Sequence, residues 1–401
     1  MPAGSAPRAT TSGGRRAVAL EFVLIAAGAA LITLAIAADQ SWFDRHSLPH
    51  MFLSHQRQLI WWQSERAAAI LLGLAVIWPI RHWLHERIVA GRGGEVAIQA
   101  VPMAFAILSS LIVCEFALGT AGWRGIDRWA ATEEPLRRAD PHLGWANLPG
   151  RGGWEDFGGR RILYYLDGAG HRIEDPARPV DPRRRSILFT GESIMLGFRL
   201  NWRETVAGRL EQATGLQSAN LAVNGFSTDQ SLMLLSEELP QFERPAAVVA
   251  LFTPGLMERN LDDDRPHLDA MLGWHQAKPS WRLTRVLKNI TLYHRAGAID
   301  DGIAMTRAAL AETVRQARAR HAAALILVPV FTPEQPGERM IRQRVLDDAG
   351  LPYVQVSLDP RWRLAGDGHP DARANRAMAA AVLAGLRRQR PDLFDPSSAP
   401  R

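Results

Sequence analysis

The apolar residues of this chain are concentrated in its first 120 positions, and this feature restricts most strongly how the chain can fold. Residues 17–38 read AVALEFVLIAAGAALITLAIAA, and residues 97–118 read AIQAVPMAFAILSSLIVCEFAL. A helix needs about 20 mostly apolar residues to cross the hydrocarbon core of a bilayer. A further apolar run, 67–84, is shorter and contains Pro79 and Arg81. The sequence therefore predicts a membrane anchor over 1–120 with three transmembrane helices, at about 17–38, 67–84 and 97–118.

A cleavable signal peptide is the alternative interpretation of the first run, because Arg15 and Arg16 precede it. The apolar core of a signal peptide has only about 7–15 residues, so the length of this run favours a retained helix. Arginines also flank the link between the second and third runs, whereas the loop 39–66 balances its arginines with acidic residues. By the positive-inside rule the chain after residue 119 is expected outside the cytoplasm.

Charge and cysteine content exclude several classes of function. The formal net charge is +6 and the pI is about 10.1, but the arginines are spread along the chain without a basic recognition motif, so no nucleic-acid partner is predicted. The single cysteine, Cys114, allows neither an internal disulfide nor a cysteine-based metal site. The acidic stretch 262–264 lacks the spacing of a calcium loop. We expect no metal and no cofactor.

The rest of the chain is predicted to form a linker and one α/β domain. Residues 121–185 are interpreted as a linker with a small β appendage, since a strand-like run at 161–166 precedes the turn pair Asp167-Gly168. In 186–401, strand-like and helical segments alternate, which predicts a flavodoxin-like three-layer α/β/α domain around a parallel sheet. The predicted strands are 186–190, 218–223, 247–253, 323–329 and 353–356, and the helices are 200–214, 228–238, 303–320, 336–349 and 371–388.

Ser193 is the first candidate for chemistry. It follows the first predicted strand through Gly191 and Glu192, and ligands of such sheets bind at the carboxyl ends of the strands. A hydroxyl presented at this edge can act as a nucleophile. The Gly-x-Ser-x-Gly elbow is not met, because Met195 occupies the second glycine position. A serine that only begins a turn or caps a helix is the alternative.

Asp367 and His369 supply the matching base. They are two residues apart around Gly368, directly before Pro370 and an amphipathic helix, so both side chains can project to the same side of the loop. A carboxylate that orients an imidazole is the base half of a serine triad, and a histidine with an ordinary pKa of about 6.5 can accept the serine proton. A polar turn before a helix is the competing interpretation.

Gly225 follows the second predicted strand at a helix entrance, in the run Asn224-Gly225-Phe226-Ser227. A bare amide at the positive end of a helix can point at an anion. Together with the amide of Ser193, it suits an oxyanion hole. A turn glycine without such a role is the alternative.

In this order and spacing, the three motifs resemble the SGNH/GDSL hydrolase family over roughly 186–388. Gly191-Glu192-Ser193 looks like the family's Gly-Asp-Ser block, Asn224-Gly225 like its oxyanion glycine block, and Asp367-Gly368-His369-Pro370 like its terminal block. The resemblance implies that Ser193 is the nucleophile, His369 the base, Asp367 the residue that orients it and Gly225 an oxyanion donor. With the predicted anchor and its orientation, the chain is expected to be a membrane-anchored bacterial member of this type, multi-pass in the inner membrane with a periplasmic catalytic domain.

Three positions depart from the family pattern. Glu192 replaces the usual aspartate, and is expected to support the turn more than to react. The interval from Asp367 to His369 is two, where many members have three. In the third block, where an asparagine usually supplies an oxyanion donor, the chain reads 252–260 without one at the expected place. Asn260 or Asn224 then substitutes, a backbone amide such as that of Gly255 serves, or the domain is slow or inactive.

Two functions are compatible with these features. The first is a serine esterase or O-acyltransferase for an acylated cell-envelope glycan or lipid, in which Ser193 forms an acyl-enzyme that water or a sugar hydroxyl resolves. The second is a catalytically impaired scaffold or glycan-binding subunit of an envelope polysaccharide assembly. The expected partners are that substrate, membrane lipid and, for the second function above all, envelope-assembly proteins.

Overall fold

The structure is a computed structural model that describes residues 10–51, 54–90, 92–120, 133–278, 281–284 and 293–394. The chain divides into two compact units. Unit 1 comprises Met1–Ser47, His55–Ala121 and Trp281–Tyr293, and unit 2 comprises Leu48–Ser54, Gly122–Ser280 and His294–Arg401. The short segment Leu48–Ser54 therefore belongs to unit 2, although it lies between two helices of unit 1 in sequence.

Unit 1 is helical. Its helices are α1 (Thr10–Ala37), α2 (Gln40–His46), α3 (His55–Ala75), α4 (Arg81–Val89) and α5 (Gly93–Thr120), and a π-helical turn at Val76–Ile80 joins α3 to α4. Helices α1 and α3 approach closely at Gly28 and Gly73: a β-carbon on Gly28 would lie 2.6 Å from the Gly73 carbonyl oxygen. Small residues at such a crossing are typical of helix packing in membranes.

Two helical stretches of unit 1 are long and apolar enough to cross a membrane, by length and composition, among the described residues. These are Val18–Ala37, with a mean hydropathy of 2.3, and His55–Ile88, with 1.6. Their side chains include exposed apolar groups such as Phe22 and Trp78. The predicted spans 17–38 and 67–84 lie within them, except for one residue at each end of the first. The third predicted span, 97–118, lies in α5. The apolar part of α5, Pro102–Ala117, is shorter than Val18–Ala37 and His55–Ile88. Two stretches, rather than the predicted three, are therefore long and apolar enough to cross a membrane.

Unit 2 contains the strands and the remaining helices. The strands are β1 (Arg137–Asp140), β2 (Gly144–Asn147), β3 (Gly152–Phe157), β4 (Arg160–Leu166), β5 (Arg172–Ile173), β6 (Ser186–Thr190), β7 (Gln217–Asn220), β8 (Pro245–Leu251), β9 (His267–Leu268), β10 (Trp274–His275), β11 (Ala323–Val330) and β12 (Tyr353–Ser357). The α-helices are α6 (Ser193–Leu196), α7 (Val206–Thr214), α8 (Thr228–Glu238), α9 (Ala296–Ala319), α10 (Pro336–Arg342) and α11 (Ala372–Gln389). A π-helical turn, Gln343–Asp347, continues α10, and 3-10 helices cover Trp202–Glu204, Leu239–Gln241, Pro254–Leu261 and Pro391–Phe394.

Eight of these strands form one sheet in the order β12-β11-β8-β6-β7-β5-β4-β3. The five strands from β12 to β7 are parallel. Numbered along the chain, they have the order 2-1-3-4-5 of flavodoxin-like folds, in which ligands bind where the strand order reverses. That switch point lies between β6 and β8, which are hydrogen-bonded neighbours. The parallel flavodoxin-like sheet is therefore present in the mixed α/β unit, as the sequence predicts.

Alternating side chains of the parallel strands form two apolar cores. On one face, Ile187 and Phe189 of β6 pack with residues of α7 and α11. On the other face, Leu188 packs with residues of α8 and α9. Each strand is thus buried on both sides, which explains why these strands read as continuous apolar runs in the sequence.

The region between the anchor and β6 differs from the predicted linker with a small appendage. Residues 121–132 of that segment lie outside the described residues. Strands β3, β4 and β5 do not form a separate appendage, because β5 pairs antiparallel with β7 and so extends the central sheet. This extension brings buried polar side chains from 155–172 into the same unit as the predicted site.

Candidate active site

The loop after β6 places Ser193 at the carboxyl edge of the sheet. Ser193 is the first residue of α6, and the Glu192 carboxylate caps that helix by accepting a hydrogen bond of 3.2 Å from the Ile194 amide. A β-carbon on Gly191 would lie 3.0 Å from the β-carbons of both Leu251 and Met195. Only a glycine fits this close approach comfortably, which accounts for the glycine at the entrance of the turn.

His369 lies against Ser193, and Asp367 lies against His369. The Nε2 atom of His369 is 2.8 Å from Ser193 Oγ. The Nδ1 atom is hydrogen-bonded to Asp367 Oδ1, which also accepts the His369 amide at 2.9 Å. The ring of Phe198 meets the imidazole edge to face at 5.1 Å. The three side chains have the serine, base and orienter arrangement of a triad.

The loop that carries Asp367 and His369 is a closed turn between β12 and α11. The Leu364 amide donates to the His369 carbonyl at 2.7 Å, and the Gly368 amide donates to the Leu364 carbonyl at 3.0 Å. Gly368 has a backbone φ of +90°, a conformation that residues other than glycine rarely adopt. The glycine between the two residues therefore lets the Asp367 carboxylate reach the His369 ring while that ring contacts Ser193.

Glu192 contacts the nucleophile directly, in addition to capping its helix. The Ser193 hydroxyl donates a hydrogen bond to Glu192 Oε2, and Arg259 Nη1 lies 3.5 Å from the same oxygen. The sequence predicts a role for Glu192 in the turn, and the helix cap agrees with that. The contact with Ser193 Oγ is not foreseen, because it depends on the longer side chain at the position of the family's aspartate.

The oxyanion candidates are placed differently from one another. Gly225 lies in a turn with φ +83°, closed by the Phe226 amide on the Val223 carbonyl at 3.2 Å. The side-chain amide of Asn224 donates to Glu133 at 3.3 Å. The Asn224 carbonyl accepts from two buried side chains, those of Arg137 at 3.1 Å and Trp145 at 3.0 Å. Asn224 is thus engaged as a structural residue, whereas the Gly225 amide stays the predicted donor.

Asn260 does not have a free amide to give to an oxyanion. Its Nδ2 atom donates to Thr306 Oγ1 at 2.6 Å and to Thr228 Oγ1 at 3.3 Å, and its Oδ1 atom accepts the Thr228 amide at 2.9 Å. These bonds tie the 3-10 helix after β8 to α8 and α9. Both N–H groups of the Asn260 side chain are thus engaged with threonines. Its role as a substitute for the missing asparagine, one of the alternatives that the sequence offers, stays a prediction.

The order of the strands and the places of the three motifs decide the fold. Ser193 follows the first parallel strand, Gly225 the second, and the Asp367 and His369 turn the fifth, at the same edge of a 2-1-3-4-5 sheet. Unit 2 has the SGNH/GDSL hydrolase fold.

No family model matches the chain, and no curated protein matches it. Among solved structures, it is similar to TesA, at 16% identity over 51% of this chain and 99% of that one, with a TM-score of 0.34. It is also similar to a GDSL-like lipase from Bacteroides thetaiotaomicron (16%, 51% and 89%, TM-score 0.31) and to an acetyl xylan esterase from the rumen bacterium Butyrivibrio proteoclasticus (11%, 54% and 67%, TM-score 0.34).

Asp367, the predicted orienting carboxylate, has a second partner that the sequence does not reveal. Arg199 Nη1 forms an ion pair with Asp367 Oδ2, and Arg199 Nε lies 3.6 Å from Glu155. Burial opposes ionisation of Asp367, but the bonds from His369 and the charge of Arg199 outweigh burial and hold its pKa below the usual value. The local sequence of Arg199 carries no signal for this contact, because its partners lie on distant segments.

A fully buried arginine supports the turn that carries the nucleophile. Arg172 on β5 donates to the carbonyls of Leu196 and Gly197, both at 2.7 Å, and to that of Leu200 at 2.5 Å. Burial lowers the pKa of Arg172 to about 10, which leaves it a cation at neutral pH. These carbonyls end the short helix that Ser193 begins, so the antiparallel extension of the sheet helps to fix the nucleophile.

The acidic stretch noted in the sequence forms a cluster apart from the triad residues in sequence. One carboxylate oxygen from each of Asp262, Asp263 and Asp264 lies within 4.8 Å of the others. The Asp264 amide donates to Asp262 Oδ1 at 3.1 Å, as in a polar turn. Carboxylate oxygens at this spacing could hold a metal ion, and the solvated turn that the sequence favours stays a prediction.

Proposed function

We propose that this protein is a membrane-anchored serine hydrolase or O-acyltransferase that acts on ester bonds of an acylated cell-envelope glycan or lipid. The observation that carries the proposal is the 2.8 Å contact between Ser193 Oγ and His369 Nε2, with Asp367 on the other ring nitrogen. Nothing else among the described contacts combines a nucleophile, a base and an orienting carboxylate in this way. The SGNH/GDSL fold of unit 2 is consistent with ester chemistry but does not select the substrate.

In the proposed reaction, Ser193 Oγ attacks the carbonyl carbon of an ester while its proton passes to His369 Nε2. The carbonyl π electrons move to the oxygen, which becomes an oxyanion held by the Ser193 and Gly225 amides. The carbonyl then reforms, the C–O bond of the ester breaks, and the departing alcohol takes the proton from His369. Water or a sugar hydroxyl next attacks the acyl-enzyme, with His369 as base again, which gives hydrolysis or transfer.

The membrane helices support an envelope substrate. We place the anchor as three spans with unit 2 in the periplasm of a bacterial cell, by the positive-inside rule. Two of the spans have the length and composition to cross a membrane, and α5 supplies the third. An enzyme held at this surface meets lipid-linked and exported glycans rather than cytoplasmic metabolites.

The test is covalent labelling of the full-length chain in detergent with a fluorophosphonate probe. We expect the wild type to be labelled, and Ser193→Ala and His369→Ala to lose labelling along with hydrolysis of p-nitrophenyl acetate. Ser236→Ala and His275→Ala are matched controls, since these side chains lie on α8 and β10 and contact neither triad residue in the described bonds. Labelling that persists in Ser193→Ala would refute Ser193 as the nucleophile.

A non-catalytic binding subunit is the second candidate. Ser193 is only 1% exposed, and its hydroxyl donates a hydrogen bond to Glu192. Both features would hinder its attack on a substrate. The third block also lacks its asparagine. A folded wild-type chain that is not labelled, yet binds an acetylated oligosaccharide in calorimetry, would favour this function over catalysis.

A further inference from the structure

The SGNH/GDSL site lacks an obvious third oxyanion donor. The asparagine expected after β8 is absent, and the side chains of Asn224 and Asn260 are committed to Glu133, Thr228 and Thr306. A missing donor of this kind typically costs about 10²–10³ in rate. Among the residues that follow β8, Arg259 carries N–H groups next to Glu192, the neighbour of Ser193.

Arg259 lies between the two segments that carry the other donors. It belongs to the 3-10 helix Pro254–Leu261, directly after β8. Its Nη1 atom donates to the Phe226 carbonyl at 3.2 Å and lies 3.5 Å from Glu192 Oε2. Phe226 and Glu192 are the chain neighbours of Gly225 and Ser193, so the guanidinium contacts a residue next to each of the two expected donors.

One anionic oxygen already connects the nucleophile and the guanidinium. Glu192 Oε2 accepts the hydrogen bond of Ser193 Oγ and is the oxygen that Arg259 Nη1 approaches. The 3.5 Å separation is longer than a charge-assisted hydrogen bond, so the guanidinium is not firmly held by Glu192. Its side chain is about one quarter exposed, which leaves room for it to turn toward a substrate.

We propose that Arg259 is the third oxyanion donor of this site, in place of the missing asparagine. This inference rests on the proposed function. Ser193 Oγ bonds to the ester carbon while its proton passes to His369, and the carbonyl oxygen takes the π electrons and becomes negative. This oxygen then accepts a hydrogen bond from an Arg259 N–H as well as from the two amides. When the C=O bond reforms, the ester C–O bond breaks and the departing alcohol oxygen takes its bonding electrons and the His369 proton. Arg259 itself neither gains nor loses a proton.

A purely structural role would be the neutralisation of Glu192, and a double-variant cycle separates the two. The full-length chain is assayed with p-nitrophenyl acetate as wild type, Arg259→Met, Glu192→Gln and the double variant. We expect Arg259→Met to lower kcat about 100-fold with KM changed only a few-fold. The same loss is expected when Arg259→Met is made in the Glu192→Gln background. If the loss disappears in that background, Arg259 only neutralises Glu192 and the proposal is overturned.

Two further variants keep the test decisive. Arg259→Lys keeps the positive charge but loses the planar guanidinium group, so we expect a rate between those of the wild type and Arg259→Met. If Arg259→Met does not fold, Arg259→Lys takes its place in the test. Arg315→Met, an exposed arginine that pairs with Glu312 on α9, is the matched control and should keep the wild-type rate. A wild-type rate in both Arg259 variants would overturn this role alone. A wild type that neither hydrolyses the ester nor reacts with fluorophosphonate would overturn the proposed function, and this role with it.

Discussion

At the scale of single residues, His171 is a buried cation at neutral pH. Its Nε2 atom lies 3.2 Å from Glu238 and its Nδ1 atom 3.4 Å from Asp167. Burial alone would lower the pKa of His171, but the two carboxylates outweigh burial and raise it to about 9. Because an unfolded histidine titrates near pH 6.5, the folded ring binds its proton more tightly than the unfolded one.

This difference predicts that the stability of unit 2 falls in alkaline solution. The contribution of the His171 proton is fully present below about pH 6.5 and is lost as pH rises through about 9, by on the order of 2–3 kcal/mol. The melting temperature of the wild type should therefore drop between about pH 6 and pH 10 by more than that of His171→Gln. His142→Gln, which removes an exposed partner of Glu237, is the control. An equal drop in wild type and His171→Gln would contradict the prediction.

The residues of the triad could be predicted from sequence because each belongs to a short motif next to a strand or helix boundary. Ser193 follows a buried strand, and Asp367 and His369 flank a glycine shortly before α11, which Asp371 caps. Arg199 and Arg172 could not be predicted, since their partners are brought together only by the folded sheet. The partners of Asn260 could not be predicted for a related reason: the sequence shows an amide in the third block but not the threonines to which it donates.

At the scale of elements, the segment Leu48–Met51 forms part of the wall around the loop after β8. The Met51 amide donates to the Gly255 carbonyl at 3.1 Å, and Met51 packs against the apolar core that includes Leu251 and Ile194. A β-carbon on Gly255 would lie 2.6 Å from the Met51 nitrogen and 2.9 Å from its α-carbon. Both of these atoms belong to backbone, so the contact cannot relax by a side-chain rotation.

Gly255→Ala is therefore expected to displace this segment. Since the φ of Gly255 is outside the left-handed region, alanine is tolerated by the local backbone and the clash with Met51 is its main effect. We expect limited proteolysis to cut within 47–54 several-fold faster than in the wild type, as mass spectrometry of the fragments would show. Gly337→Ala is the matched control, because no atom lies within 4 Å of its added β-carbon. Cleavage at the wild-type rate in Gly255→Ala would refute the contact.

The elements of the parallel sheet were predictable because their apolar runs are buried on both faces. The predicted strand at 186–190 matches β6, and that at 323–329 nearly matches β11. The predicted helix over 200–214 begins only at Val206, since the residues before it form a 3-10 turn with a capping box and Thr205 then caps α7. The antiparallel extension was missed as part of the sheet because β5 is only two residues long and joins β7 through a single pair.

At the scale of the whole molecule, the number of membrane crossings decides which compartment unit 2 occupies. With two crossings, unit 2 would lie on the same side of the membrane as the N-terminus. With three crossings, it lies on the opposite side. The apolar part of α5, Pro102–Ala117, is short, but α5 itself runs from Gly93 to Thr120. Its side chains Phe105 and Phe116 are exposed in the structure, as lipid-facing groups of a third crossing would be.

Three crossings predict that unit 2 and the loop 39–54 lie outside the cytoplasm, while the link before α5 lies inside. Because Cys114 is the only cysteine, Cys114→Ser gives a background for single-cysteine mapping with a membrane-impermeant maleimide. In spheroplasts we expect Asp44→Cys and Arg178→Cys to react at once, and Arg92→Cys to react only after the membrane is permeabilised. Labelling of Asp44→Cys without Arg178→Cys would mean that α5 does not cross. The triad would then face the cytoplasm, and an envelope substrate would no longer be within its reach.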